Sequence, residues 1–590
     1  MIHFSRSYIL PCLTMIILTC ASSAVSASQI SFRFGDYAPA NDMLYAETSS
    51  IESFIEQVKE FYRGLRPDIG ENEILMLTAA LTQKLGFNPL DSGALRSIGF
   101  DPGGPVAFSI ENLEPLTSGE RDSQRDRNIE KNWTAYIPAS DALKLYQSIH
   151  VLIKRGHEAK YPPMQAPEGI ITEISRNRLL HHKDAGFYLA RGDRFCVFSN
   201  SKDRALAATR KAAAPLSKAP HYLRFRQHID SRYTGSDVIL SYCLNRKGMD
   251  SFYFLKNLPR FTLMMQKNSS SMQMYRQLND EINQHVLAEG GMFSLNRKKA
   301  SMRSDSLYRD GYLPDRTKIL PGLLFSQYRE LLPDSFGKTP ALYGRSRFNL
   351  SGVLGLMKAV IPDFDAKFGI AMQEVREKTG ADLGDGLIDR MNGNFAVLVD
   401  RFPETGQPRR NVRWDISFAA GYNSEDAPTV RQFFDTLASA ISKEGRGTTL
   451  QKEQYGNGIL WNIITRKKKR VPGQNFPQNQ QPVIKETNFL YLGQRELIYT
   501  PKKDHLIRIM GEKSSTSVAG RCMNISSTRE RNSNLLFYLD MEKFNSYINT
   551  SQLRFLIGPA AQYLQNMESI RMIVENDGKS ITSETMLMLK

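Results

Sequence analysis

Residues 187–203 read FYLARGDRFCVFSNSKD, and residues 488–504 read NFLYLGQRELIYTPKKD. The two segments align without a gap at an offset of 301 residues. The identical pairs are Leu189/Leu490, Gly192/Gly493, Arg194/Arg495, Lys202/Lys503 and Asp203/Asp504. A gapless internal copy indicates a duplicated structural unit, so we expect two similar domains in tandem.

The correspondence extends beyond this block. A short strand and a helix are predicted to open each copy, and a hairpin-like segment closes each copy, at 292–313 and at 570–589. In the second hairpin Asn576-Asp577-Gly578 is a strong turn signal. We therefore place the two copies at 30–314 and 318–590.

The order of the predicted elements indicates the fold class. Strands alternate with helices, which is compatible with a parallel sheet, but the hairpins and adjacent strand pairs favour antiparallel pairing. The hydrophobic share of 41% is enough for packed cores. We expect an α+β protein whose two similar tandem domains each have a mainly antiparallel sheet with helices packed on one face.

The first 27 residues have the pattern of an export signal. A short segment with Arg6 precedes the apolar stretch Ile9–Cys20, and small residues lead up to Ala27. This pattern predicts cleavage after Ala27 and a periplasmic or secreted protein. Two alternatives remain: a retained anchor, or a lipoprotein acylated at Cys20. No later stretch approaches the roughly 18 apolar residues of a spanning helix, so the cleaved chain is not expected to be an integral membrane protein.

The chain carries a net charge of +16, with a pI near 9.4. Such a charge attracts anionic lipid surfaces and envelope polymers, although it also serves solubility. The sequence around 466–482 combines adjacent cations with a Pro/Asn/Gln tract and predicts a mobile basic loop. That loop is either a solvated connection or an anion-docking arm, and no specific nucleic-acid signal accompanies it. The candidate docking residues are Arg466, Lys467, Lys468, Lys469 and Arg470.

One pattern suggests serine chemistry. Ser199 and Lys202 match the Ser-x-x-Lys spacing of penicillin-binding enzymes, and Lys378-Thr379-Gly380 matches a second element of that class. However, Ser199 aligns with Thr500 in the other copy, which suggests that both residues cap the following helix. We therefore assign no catalytic residues.

The sequence contains no pattern that predicts a cofactor or a metal ion. His181 and His182 lie beside Asp184, but adjacent side chains diverge, so we predict a solvated loop there. Paired Cys-x-x-Cys and calcium-loop spacings are missing from the sequence.

Three cysteines follow the predicted signal, so they cannot all be paired with one another. Cys196 and Cys243 lie in apolar, strand-like runs, and Cys522 is the third. Two interpretations remain for the first two: buried small hydrophobic residues, or a disulfide in an oxidising compartment.

Several short segments resemble a known family. They are Leu44–Glu47 after Pro39, Gly86–Leu90, Gly99–Pro102, Val106–Ser109 and the Gly192–Ser199 strand pair. In these motifs the chain resembles exported bacterial proteins grouped as domain of unknown function 3352. The resemblance implies a bacterial envelope protein with no assigned activity and no catalytic residues to transfer.

These observations favour a non-catalytic exported protein that binds an anionic envelope polymer, a lipid surface or a protein partner. The alternatives are an envelope serine acyl-transferase or hydrolase that uses Ser199 and Lys202, and a purely structural assembly protein.

Overall fold

The computed structural model describes most of the chain beyond residue 33. The predicted signal at 1–27 and the predicted domain boundary at 314–318 lie outside the described residues. The described residues are 34–112, 133–160, 171–183, 186–232, 238–245, 247–248, 285–309, 339–347, 354, 364–402, 416–444, 447–468, 483–504, 506, 518–550, 561–576 and 580–590.

The chain divides into two compact units. Unit 1 contains the described residues up to 309 and the last two residues, and unit 2 contains those from 339 to 588. The strands of unit 1 are β1 (Leu44–Thr48), β2 (Ala107–Ile110), β3 (Trp133–Pro138), β4 (Ile171–Ser175), β5 (Leu179–His182), β6 (Phe187–Arg191), β7 (Phe195–Ser199), β8 (Val238–Leu244), β9 (Val286–Asn296) and β10 (Lys299–Tyr308). Its helices are α1 (Ile51–Leu65), α2 (Gly70–Leu85), α3 (Ser92–Ser97), α4 (Ala142–Lys160), α5 (Lys202–Ala207) and α6 (Pro220–Arg232), with 3₁₀ turns at Phe34–Asp36 and Leu216–Lys218.

The strands of unit 1 form one antiparallel sheet in the order β10-β9-β8-β1-β2-β3-β7-β6-β5-β4. The block that opens the sequence comparison forms the β6–β7 pair, in which Leu189 lies opposite Phe198. The expected hairpin at 292–313 is β9 and β10, and its second strand ends at Tyr308.

Helices cover both faces of the unit 1 sheet. Cys196 and Leu189 pack in one core with residues of α1 and α4, whereas their neighbours Val197 and Ala190 pack in another core with α5 and α6. Because successive side chains of a strand point to opposite faces, the two cores lie on opposite sides of the sheet. The prediction of helices on one face was therefore wrong: every residue of β7 is buried, as expected of a strand enclosed on both sides.

Local signals in the sequence account for the position of α1. Ser50 caps the helix by accepting a hydrogen bond from the backbone N–H of Ser53 at 3.0 Å. Ile51, Phe54 and Ile55 recur at helical spacing and are buried against the sheet. Burying each such side chain contributes about 1.5–3 kcal/mol relative to leaving it exposed.

The described residues of unit 2 form ten further strands. They are β11 (Leu342–Arg347), β12 (Met391–Val399), β13 (Ile416–Tyr422), β14 (Thr448–Tyr455), β15 (Gly458–Lys468), β16 (Val483–Leu492), β17 (Glu496–Thr500), β18 (Ser533–Asp540), β19 (Met567–Asn576) and β20 (Ser580–Leu589). Its helices are α7 (Phe364–Thr379), α8 (Leu383–Gly386), α9 (Ala427–Glu444), α10 (Val518–Met523), α11 (Ser527–Asn532), α12 (Met541–Thr550) and α13 (Ala561–Leu564), with 3₁₀ turns at Ile388–Arg390 and Ser424–Asp426.

The strand order in unit 2 is β20-β19-β18-β11-β12-β13-β17-β16-β15-β14. Here too, neighbouring residues of one strand belong to different cores. Leu497 packs with Val430 of α9, whereas Ile498 packs with Val518 of α10. The predicted α+β class with antiparallel sheets is thus confirmed.

Candidate functional site

The basic run does not begin as a loop. Arg466 to Lys468 complete β15 and pair with Lys485 to Val483 of β16. The Arg466 side chain is exposed, and its backbone N–H donates to the Gly447 carbonyl at 2.8 Å. The predicted mobile loop at 466–482 was therefore wrong over its first three residues, because cross-strand backbone hydrogen bonds hold them. Lys469, Arg470 and the remainder of that segment lie outside the described residues.

Ser199 lies in the interior of unit 1. Its side chain is fully buried, and its hydroxyl donates to the Trp133 carbonyl at 2.8 Å. The same oxygen accepts from the backbone N–H of Ser201 at 3.2 Å. Lys202 is exposed at the start of α5. A serine nucleophile needs access to substrate and a nearby base, so this geometry favours a structural role for Ser199.

The expectation that Ser199 caps the following helix was wrong in detail. Ser201 is the cap of α5, since its hydroxyl accepts from the backbone N–H of Arg204. Ser199 instead forms the turn that precedes the cap. Thr500 forms the same turn in unit 2, where its hydroxyl accepts from the backbone N–H of Lys502. The aligned pair thus shares a backbone-directed role, which is a common use of Ser and Thr outside helices.

A buried ion pair joins four segments of unit 1. Arg204 binds Asp42 with both terminal nitrogens, at 2.9 and 3.3 Å, and also contacts Glu111 at 2.8 Å. Its Nε donates to Thr134 at 3.2 Å. The Asp42 side chain is fully buried, and this burial raises the pKa of Asp42, with Arg204 opposing part of the effect. The arrangement links the start of β1, the end of β2, β3 and α5.

A second polar cluster lies between α6 and β10. Asp305 is fully buried, and its carboxylate contacts His228 at 2.9 Å and Arg303 at 3.1 Å. A His–Asp contact also occurs in hydrolases, where it orients the catalytic base. Here the Asp305 carboxylate also binds Arg303 of the same strand. The contact between His228 and Asp305 therefore serves to join α6 to β10.

Unit 2 contains its own buried pair. Arg345 of β11 contacts Glu530 of α11 at 3.3 Å, and both side chains are almost fully buried. A second nitrogen of Arg345 donates to the Glu530 backbone carbonyl. None of these three buried clusters was predicted from the sequence. The strands that carry Asp305 and Arg345 read KASMRSDSLY and LYGRSR, so their polar composition gives no signal that these charges are buried.

The three described cysteines are buried, and Cys196 and Cys243 have free thiols. The alternative of a Cys196–Cys243 disulfide is therefore not realised in this structure. Burial raises the pKa of both thiols to about 12, which makes them weak nucleophiles near neutral pH.

His181 and His182 lie in strand β5 rather than in the predicted solvated loop. His182 is buried, and His181 stacks on Tyr188 with ring centroids 4.2 Å apart. Within the described part of the chain, no group of three or more His, Cys, Asp or Glu side chains is placed to hold a metal ion. In the same residues, no helix combines the length and the apolar composition needed to cross a membrane.

Comparisons with known proteins assign no family to this chain. No family model matches it, and no curated protein does. A solved structure titled "Structure of crystal form III of TP0453" aligns at a TM-score of 0.22 and 8% identity, over 52% of this chain and 90% of that chain. At that TM-score the likeness carries no argument about fold or function.

Proposed function

We propose that the chain is an exported, non-catalytic envelope protein that binds an anionic surface through the basic end of the β15–β16 hairpin. The main support for the proposal is that the run of cationic residues begins within a strand that is paired with its neighbour. Arg466 to Lys468 extend β15 opposite β16, and Lys469 and Arg470 follow directly in the sequence. A paired strand fixes the starting point of the run, which lowers the entropy lost when the cations engage an anionic partner.

Other features support this proposal over an enzymatic role. The Ser199 hydroxyl is buried and bonded to backbone groups, and the aligned position in unit 2 is a threonine. The net charge of +16 attracts the same anionic partners over a longer range. Residues 1–27 give the export part of the proposal, with cleavage after Ala27 and a periplasmic or secreted location. The resemblance to exported proteins of domain of unknown function 3352 points the same way.

We also propose that the two units are copies of one ancestral domain. The strand order in unit 1 corresponds strand for strand to the order in unit 2. The aligned block supports this at the level of single residues. Leu189 pairs with Phe198 in β6–β7, and their aligned counterparts Leu490 and Tyr499 pair in β16–β17.

The docking proposal is tested by neutralising the basic run in the full chain. The variant is Arg466→Gln, Lys467→Gln, Lys468→Gln, Lys469→Gln and Arg470→Gln. We expect its affinity for phosphatidylglycerol vesicles or for soluble polyphosphate to fall at least about tenfold, since each cation near an anionic surface contributes about 1 kcal/mol. Comparing the two probes separates a lipid head group from a phosphate polymer.

The matched control removes the same number of charges from exposed positions in unit 1. Its substitutions are Lys144→Gln, Lys183→Gln, Lys202→Gln, Arg210→Gln and Lys218→Gln. We expect this control to bind nearly as well as the unmodified chain. Equal losses in the two variants, or binding that does not respond to salt, would contradict the docking role of the hairpin.

A further inference from the structure

Helix α2 exposes large apolar side chains that a folded domain normally buries. The exposed fractions are 58% for Leu75, 72% for Met76 and 42% for Leu77. Consecutive helical residues are about 100° apart, so these three cover an arc of about 200° around the helix. Ala79 and Ala80 continue the exposed surface. We call Leu75, Met76, Leu77, Ala79 and Ala80 the apolar ridge.

The two threonines next to the ridge bond within the helix, whereas Asn72 and Gln83 are exposed near its two ends. The Thr78 hydroxyl donates to the Ile74 carbonyl at 2.7 Å, and the Thr82 hydroxyl donates to the Thr78 carbonyl at 2.8 Å. A hydroxyl bonded in this way needs no outside partner. The central two turns of α2 can therefore enter an apolar phase without leaving a side-chain donor unsatisfied.

The acidic residues of α2 lie at its amino-terminal end and contact α1. Glu71 accepts from Arg63 at 2.5 Å, and this hydrogen bond lowers the pKa of Glu71. Glu73 accepts from the Tyr62 hydroxyl and lies 3.8 Å from Arg66. Glu71 and Glu73 lie one helical turn before Leu75 and Leu77, at the amino-terminal border of the ridge, where Arg63 and Arg66 at the end of α1 offset their negative charge.

Helix α7 shows the same feature in unit 2. Both α2 and α7 have 16 residues and are followed by a glycine in the left-handed region, Gly86 with φ of 79° and Gly380 with φ of 72°. The seventh residue is Met76 in α2 and Ile370 in α7. Ile370 is 65% exposed, and these two are the most exposed large hydrophobic residues in the described part of the chain. The same helix position carries an exposed large hydrophobic residue in both units. We therefore infer that this exposure has a function.

We propose that the apolar ridge of α2 inserts into the interfacial region of a lipid bilayer. The boundary between head groups and acyl chains accommodates large apolar side chains spread over a wide arc of a helix, as at Leu75, Met76 and Leu77. The net positive charge of the chain complements an anionic lipid surface. The inference goes beyond the proposed function, because this contact is hydrophobic and lies far in sequence from the basic run.

The test places a fluorescent reporter on the ridge of the full chain. Met76→Trp is mixed with vesicles made of equal parts phosphatidylcholine and phosphatidylglycerol. We expect the new indole emission to shift to the blue and to be quenched by lipids brominated on their acyl chains. The matched control is Val151→Trp on α4, where the native side chain is also exposed, at 48%. We expect no acyl-chain quenching of the reporter at that position.

A second experiment measures binding itself in high salt, where charge attraction is screened. We expect Leu75→Gln/Met76→Gln/Leu77→Gln to reduce vesicle co-sedimentation about tenfold or more. The control Val151→Gln/Leu206→Gln/Leu223→Gln removes exposed apolar side chains from three other helices and should have little effect. Lack of quenching at position 76, or equal quenching at both reporter positions, would overturn the proposal. A smaller oligomer in the ridge variant, seen by sedimentation, would assign the ridge to a second copy of the chain and overturn it as well.

Discussion

At the scale of single residues, the buried thiols lead to a prediction about alkaline pH. Burial raises the pKa of Cys196 and Cys243 from 9.0 to about 12. Between those values the folded chain keeps protons that the unfolded chain has released, so the free energy of unfolding should fall as pH rises from about 9 to 12. We expect a flatter decline in Cys196→Ala/Cys243→Ala, measured by urea unfolding at several pH values. Equal slopes in the two proteins would contradict this account.

The same residues show how far the sequence predicts local environment. Cys196 lies in a strand of consecutive apolar residues, and its aligned partner is Leu497, so burial follows from composition alone. The buried pair of Asp42 and Arg204 was not predicted, because the two residues are distant in sequence and meet only when α5 packs on the sheet. Charge pairs across a fold depend on tertiary geometry, which local patterns do not encode.

At the scale of elements, α6 packs closely on β9 because Gly290 of that strand has no side chain. A Cβ atom at Gly290 would overlap the Phe225 ring of α6 and lie 2.6 Å from the Tyr242 carbonyl oxygen. We expect Gly290→Ala to destabilise the protein by about 1–3 kcal/mol through overpacking. The control is Gly369→Ala in α7, where nothing lies within 4 Å, and we expect that change to stabilise the helix by about 0.5–1 kcal/mol. Chemical denaturation measures both effects, and a neutral Gly290→Ala would show that α6 can shift away.

The sequence predicts helices and strands best where the spacing of apolar residues matches the repeat of the helix or strand. The hairpin predicted at 570–589 is formed by β19 and β20, and the short strand and helix predicted to open the first copy are β1 and α1. The apolar ridge of α2 was missed because its large apolar side chains face solvent, so their pattern does not mark a buried face. The basic run was taken for a loop because repulsion between cations is visible in the sequence, whereas pairing with Val483 to Lys485 is not.

At the scale of the whole molecule, each unit has its own cores on both faces of its sheet. Leu189 and Leu490 are aligned, buried and placed at the same pairing position in their units. We expect Leu189→Ala and Leu490→Ala each to cost about 2–5 kcal/mol, but in different cooperative transitions, because each substitution weakens only the cores of its own unit. Differential scanning calorimetry of the two variants measures this directly. If both substitutions shifted one common transition by the same amount, the two units would unfold as a single cooperative structure, which would contradict this prediction.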